Sequence, residues 1–306
     1  MKALVTGGAG FIGSNLVDRL IGEGHEVVVL DDLSAGYREN INEQAKFVLG
    51  NIADEETVLN ALKDVEVVFH QAAHRAVLRS VEHPLETNRA NVHGTLNILE
   101  KSVQAGVRRV VSASSSSIYG NIDVFPTKES ADKQPRSPYA VSKLAGEHYM
   151  RVFSELYGIE TVALRYFNVY GPRQRPESAY AAVIPLFIDA LVQGKPPTVH
   201  GDGLQSRDFS YIDDVVEANI LASTGQADIC SGKAYNIAGG STYNLLELLE
   251  ILQDLIGVSI TPQHTQVRAG DVRKTQADIS NARSDLGFEP KVDFRSGLIK
   301  TVEYFT

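Results

Sequence analysis

The sequence predicts an α/β fold: a doubly wound parallel sheet with helices on both faces, followed by a smaller, mixed C-terminal lobe. Three observations carry this prediction. Short apolar runs alternate with stretches of helical periodicity through the first half of the 306 residues. A glycine-rich segment, Gly7-Gly8-Ala9-Gly10-Phe11-Ile12-Gly13, directly follows the first of those runs. After Asn168 the alternation stops, broken by Gly171-Pro172, Pro176, Pro185 and Gly194-Lys195-Pro196-Pro197.

In order, residues 2–6 read as a strand, 14–24 as an amphipathic helix, and 26–31, 46–49 and 65–70 as further strands. Two long helical stretches, 88–105 and 139–157, flank a strand at 109–114, and another strand follows at 160–166. Their unbroken Val/Leu/Ile runs fit parallel strands covered on both faces; a one-sided sheet would alternate. Further on, 215–223 reads as a helix, 234–237 as a strand able to rejoin the first sheet, and 245–256 as an amphipathic helix. A helix start near Asp278, a Gly287-Phe288-Glu289-Pro290 break and a last helix to Phe305 complete the chain. These readings divide it into 1–168 with about 210–238 returning to it, and a lobe of about 169–209 and 239–306.

Composition narrows the function. A hydrophobic fraction of 43% gives ample core, and a formal net charge of −9 argues against a broad nucleic-acid surface. Cys230 is the only cysteine, so neither an internal disulfide nor a cysteine metal cluster is expected, and no metal is assigned. No apolar run approaches the ~20 residues of a membrane helix. Met1 leads straight into a strand without a signal-peptide pattern. A soluble, cytoplasmic protein with no membrane partner is the expectation.

The glycine segment satisfies G-x-G-x-x-G between a strand and a helix, the context that gives this motif meaning. Glycines permit the tight turn and let backbone N–H groups approach a pyrophosphate at the helix N-terminus. An acidic pair, Asp31-Asp32, ends the next strand about 20 residues on, as a Rossmann-like dinucleotide site requires. Asp31 would bond the adenosine ribose, and both carboxylates would repel a 2′-phosphate. NAD is therefore expected over NADP, on Gly7, Gly10, Phe11, Ile12, Gly13, Asp31 and Asp32. Asn51 and Ile52 are placed to meet the adenine edge, Ala72 and Ala73 let the chain pass close to the cofactor, and Asn91 is a candidate contact.

The strand at 109–114 runs into Ser115-Ser116-Ser117, at the strand end where open α/β sheets bind ligands. Hydroxyls there can hold a reacting sugar oxygen. Downstream, Tyr139 and Lys143 lie one helical turn apart on one face. A phenol has a free pKa near ~10, so a base working near pH 7 needs about 2–3 units of depression. Lys143, bonded to the nicotinamide ribose, and a cationic nicotinamide ring are charges of the right sign. Ser115, Tyr139 and Lys143 are the predicted catalytic set.

These residues resemble the extended short-chain dehydrogenase/reductase superfamily, within it the NAD-dependent nucleotide-sugar epimerase/dehydratase family, and most of all its UDP-glucose and UDP-N-acetylglucosamine 4-epimerase branch. The resemblance spans essentially the whole chain. It rests on residues 6–13, 114–120, Tyr139 with Lys143, Leu164-Arg165-Tyr166-Phe167-Asn168-Val169-Tyr170-Gly171-Pro172-Arg173, Gly201-Asp202-Gly203-Leu204-Gln205-Ser206-Arg207-Asp208-Phe209 and Gly270-Asp271-Val272. It implies a UDP-sugar substrate oxidised at C4, turned and reduced on its other face, with Tyr139 as base and Ser115 assisting. It implies a homodimer joined through helices 88–105 and 139–157. By the same resemblance Arg75 and Tyr166 join the cofactor contacts. Ser116, Asn168, Val183, Ile184, His200, Arg207, Arg268 and Asp271 join the substrate contacts, with His200 against uracil and the arginines on the diphosphate.

Two departures and two alternatives bear on the choice. Asn51 stands where the family commonly has Asp. Serines at 116 and 117 replace the acids of the 4,6-dehydratase branch, and elimination of a C6 hydroxyl needs an acid and a base. Thr275 matches a position where a small residue admits N-acetyl groups, while Arg175 resembles a carboxylate clamp of UDP-glucuronate 4-epimerases. A 4-reductase that releases NADH and a non-catalytic NAD-binding regulator also remain open.

Overall fold

The computed structural model describes residues 1–176, 182–267 and 272–306. Six strands come first: β1 (Lys2–Thr6), β2 (Glu26–Asp31), β3 (Lys46–Leu49), β4 (Val67–His70), β5 (Arg109–Ser115) and β6 (Glu160–Tyr166). Short strands β7 (Val169–Tyr170), β8 (Thr198–His200), β9 (Ser206–Asp208) and β10 (Ser210–Tyr211) follow. Then come β11 (Lys233–Ile237), β12 (Thr242–Asn244) and β13 (Gln263–Thr265). The helices are α1 (Phe11–Gly22), α2 (Glu55–Ala61), α3 (Val77–Glu82), α4 (Pro84–Asn88), α5 (Gly94–Ala105) and α6 (Pro138–Tyr157). They continue with α7 (Val183–Val192), α8 (Ile212–Thr224), α9 (Ala227–Cys230), α10 (Leu245–Ile256), α11 (Ser280–Leu286) and α12 (Phe294–Phe305).

The central sheet is parallel throughout, in the order β11-β6-β5-β4-β1-β2-β3. One face buries Val5, Val29, Phe69 and Val111 with Leu16 and Leu20 of α1 and Ile212 and Val215 of α8. The other buries Leu4, Val28, Val68 and Val110 with Ile98 and Leu99 of α5 and Met150 and Phe153 of α6. Both faces being covered is why the strands carry unbroken apolar runs. The connections reverse direction between β1 and β4, which opens a crevice at their carboxyl ends. Gly7 sits there with φ +71°, and a Cβ on it would lie 2.7 Å from the Ala72 backbone nitrogen, so only glycine fits. The smaller strands pair outside this sheet, β7 with β10, β9 with β12 and β8 with β13.

Some expected bounds shift. The first helix begins at Phe11, not at residue 14, because Gly10 is its N-cap and the loop glycines run straight into it. The expected helix 88–105 is instead α4, a wider π turn at Arg89–His93, and α5. Helix α6 starts one residue early, where the Ser137 side chain caps Ala140 N–H and Pro138 takes the first turn. The short helices α2, α3 and α4 were not anticipated.

A buried hydrogen-bond chain ties β1, β4 and the π turn together. Thr95 Oγ donates to the Asn91 carbonyl at 2.6 Å, so it accepts from His70 Nε2 at 2.9 Å. His70 Nδ1 then accepts from Thr6 Oγ at 2.7 Å, and Thr6 Oγ accepts the Ala72 N–H at 3.3 Å. The neutral imidazole thus has a partner at each ring nitrogen. Burial, and to a smaller degree the Lys143 charge, hold the His70 pKa down to about 3. The folded protein therefore refuses a proton that the unfolded chain accepts below about pH 6.5. Stability contributed by neutral His70 is complete above that pH and declines as pH falls toward 3, by about 2 kcal/mol between pH 8 and pH 5. Denaturant titrations at the two pH values measure the slope. A His70→Asn variant is expected to be weaker at pH 8 and to lose this part of it; an unchanged slope would place the pH dependence elsewhere.

Candidate active site

The crevice at the strand ends is a cavity lined by Gly7, Gly10, Phe11, Ile12 and Gly13 on one side and Ala72, Ala73 and Arg75 on the other. Helix α1 opens onto it with no capping side chain and no acidic residue in its first turn, so its end favours an anion. A Cβ on Gly13 would fall 2.2 Å from the Gly7 carbonyl, which keeps the turn closed to anything larger. Asp31 ends β2 almost fully buried, accepting Ala9 N–H at 3.0 Å and Leu33 N–H at 2.8 Å. Burial pushes its pKa up and those two N–H groups oppose the rise. Beside it, Asp32 accepts Ser34 N–H and the Asn51 amide at 2.7 Å. Two carboxylates at this point suit ribose hydroxyls and oppose a 2′-phosphate. Glycines no side chain could replace, an open helix end and this acidic pair together fit NAD.

At the other end of the cavity stand Tyr139, Lys143 and Tyr166. The Ser115 hydroxyl stands beside the Tyr139 phenol. Burial raises the phenol's pKa, while that hydroxyl and the Arg75 charge lower it. Lys143 Nζ donates to the Ala113 carbonyl at 2.8 Å, and burial brings its pKa down to about 8 against the opposing charge of Glu147. One turn further along α6, Glu147 pairs with Arg165 of β6 through bonds of 2.9 and 2.7 Å, both side chains nearly buried. Ser114 donates to the same carboxylate. Arg165 also donates to Tyr119 Oη at 2.7 Å, and Tyr119 to Asn236 of β11 at 2.7 Å. Sequence reading missed this network, although the spacing 139, 143, 147 marks one helix face.

A second cavity adjoins the first, with Arg75 lining both. Asn168, Val183, Ile184, His200 and Arg207 line it, all expected substrate contacts. Tyr170, Gln174 and Gln205 were not expected there. Gln174 Oε1 is enclosed without a partner among the described residues, and Gln205 holds the His200 carbonyl at 2.7 Å.

Other expected contacts lie elsewhere. Asn91 is buried, holding His74 N–H at 2.7 Å, the His74 carbonyl at 3.0 Å and Ser142 Oγ at 2.9 Å, so it supports the cavity wall without lining it. Asn51 lines the first cavity, yet its amide and carbonyl already engage Asp32 and Ala53. Neither Ser115 nor Ser116 lines either cavity; Ser115 reaches the site through Tyr139. The Thr275 hydroxyl is likewise engaged, accepting from Asn168 at 3.0 Å and from Asp208 N–H at 3.2 Å, and stands behind Asn168. Arg175 lines the cofactor cavity, not the second one, ion-paired to Glu39 at 2.5 Å and 3.9 Å from the Tyr37 ring centre. As a sugar clamp it is misplaced. Arg268 and Asp271 lie outside the described residues. Among the described residues, no cluster of His, Cys, Asp or Glu suits a metal ion and no helix is long and apolar enough to cross a membrane.

Fold and site together define a dinucleotide-dependent enzyme of the short-chain dehydrogenase/reductase type. Residues 3–238 match the NAD dependent epimerase/dehydratase family, and the chain belongs to it. NAD is its cofactor. The chain is similar to a UDP-glucose 4-epimerase of Mycolicibacterium smegmatis, 41% identical over 312 residues, covering 100% of this chain and 98% of that protein. It superposes on a Thermotoga maritima UDP-glucose 4-epimerase solved with UDP-glucose, with TM-score 0.96, 41% identity and coverage of 100% and 98%. It also superposes on a Methanobrevibacter ruminantium UDP-N-acetylglucosamine 4-epimerase in complex with UDP-N-acetylmuramic acid, with TM-score 0.94, 40% identity and coverage of 99% and 97%.

Replacing Glu147 by Gln leaves the Arg165 guanidinium buried without its counter-charge. A loss of about 3–5 kcal/mol in unfolding free energy is expected, together with a Lys143 pKa below about 8, since Glu147 holds it up. Chemical denaturation and a pH titration of the Lys143 resonance check the two effects.

Proposed function

We propose that the protein interconverts the C4 epimers of UDP-sugars: UDP-glucose with UDP-galactose, UDP-N-acetylglucosamine with its galacto counterpart, or both. The observation that carries this reading is the Ser115–Tyr139 hydroxyl pair at the end of the cofactor cavity, with serines, not acids, at 116 and 117. The names of the similar proteins support it. Bound NAD supplies reversible oxidation at C4 and, when oxidised, a positive charge that favours phenolate. Tyr139 Oη takes the proton of the sugar 4-hydroxyl and later returns it. Ser115 donates to the phenolate oxygen and steadies it; Lys143, anchored on Ala113, supplies a positive charge on the same helix face. Arg207, Asn168 and His200 hold the nucleotide end, leaving the sugar free to turn; tight binding remote from the reacting carbon retains the intermediate. No acid stands where C6 elimination would need one.

The division of labour follows: 1–168 with about 210–238 carries the cofactor, and about 169–209 with 239–306 carries the sugar nucleotide. The addition of β11 beside β6 supports it. Arg175, paired to Glu39 in the first cavity, offers no contact to a uronic-acid carboxylate in the second.

Incubation with UDP-glucose, UDP-N-acetylglucosamine and UDP-glucuronate, each followed by NMR, is expected to yield a C4 epimer from the first, the second or both, with no net change at the NADH absorbance. Stoichiometric NADH would instead support a reductase. Tyr139→Phe is expected to cut turnover at least about hundredfold while retaining NAD. Absence of any epimer would overturn the proposal.

We further propose a cytoplasmic homodimer, supported by the fully buried Cys230 thiol and by exposed Val81, Leu85, Val141, Leu156 and Tyr157 on α3, α4 and α6. Light scattering is expected to report twice the 33.3 kDa chain mass; a monomer at micromolar concentration would overturn the dimer.

A further inference from the structure

We infer that Arg173 is a ligand of the cofactor pyrophosphate, delivered from the loop after β7 to the open end of α1. Its side chain lines the first cavity together with Gly10, Phe11 and Ile12. One arm of the guanidinium, Nη2, donates to Asp18 Oδ2 of α1 at 2.6 Å. The other, Nη1, is fully enclosed yet has no hydrogen-bond partner among the described residues. A buried cationic N–H without an acceptor is costly, so this atom calls for an anion.

The loop is built to hold that arm in place. Arg173 has φ +72°, a left-handed conformation unusual for a residue with a side chain. Helix α1 secures the loop at two points, through Asp18 and through Asn15 Nδ2 on the Pro172 carbonyl at 3.4 Å. Two elements distant in sequence thereby converge on one spot: first-turn N–H groups free of any capping side chain, and a planar cation whose second edge is unmatched. That pairing suits a diphosphate, which offers several acceptor oxygens to backbone and guanidinium donors together. Arg175 on the same loop makes the contrast. Its charge is answered by Glu39 and its plane by the Tyr37 ring, so it needs no ligand.

The inference rests on NAD as the cofactor but not on which sugar reacts. Its test uses the full chain stripped of cofactor, with ADP-ribose and adenosine as probes in calorimetric titration. Arg173→Ala is expected to weaken ADP-ribose about ten- to hundredfold and adenosine by less than about twofold. NAD release from the loaded protein should quicken in proportion. Arg173→Lys, which keeps the charge but not the fork, should recover part of the loss. Should the alanine variant melt markedly earlier, the lysine variant and Arg173→Gln carry the comparison. Unchanged ADP-ribose affinity, or equal weakening of both probes, would overturn the inference. If the unaltered protein bound no ADP-ribose, the cofactor assignment itself would fall, and Arg173's role with it.

Discussion

One buried ion pair sets the position of everything that reacts. Glu147 and Arg165 join α6 to β6, and through Ser114, Tyr119 and Asn236 they reach β5 and β11. Helix α6 carries Tyr139 and Lys143 on the face that ends at Glu147. A slip of the helix along the sheet that displaced the phenol would therefore break the ion pair as well. Buried charges of this kind contribute little net stability but strongly penalise geometries in which they are separated. Here that penalty acts on the register between a catalytic helix and the strands bearing its partners.

The cofactor side relies on a different device, backbone approach. Gly7 and Ala72 come so close that no side chain fits between the ends of β1 and β4. The loop after β4 is then held by Asn91, which takes both backbone groups of His74. Asn91 occupies the π turn between α4 and α5, and the same turn receives the His70 chain through Thr95. Polar residues that look like ligand contacts thus act one step behind the surface, as struts.

That distinction marks what the sequence could reveal. The bounds of β1, β2 and β6 agree with the apolar runs because strands covered on both faces leave an unambiguous record. The short helices α2, α3 and α4 have too few turns to show a period. The glycine loop, Asp31, Tyr139 and Lys143 were legible because their meaning lies in local spacing. Asn51 and Asn91 were read as contacts because an amide near a cleft is chemically suitable. Whether its hydrogen bonds are already satisfied depends on residues far away in the chain. Arg175 failed for the same reason: Glu39, 136 positions distant, decides which cavity it faces. Arg75 was expected only beside the cofactor; that it also lines the second cavity, and that Gln174 does, became visible only once the two lobes were seen together.

The loop after β7 places neighbours in different compartments: Arg173 lines the cofactor cavity and Gln174 the second one. A peptide plane shared by two sites cannot move for one alone. A shift of that plane made by the occupant of one cavity moves the wall of the other, and whatever one occupant does to the other's affinity by this route is returned in equal free energy. The wall between the cavities is therefore one stretch of backbone common to both occupants.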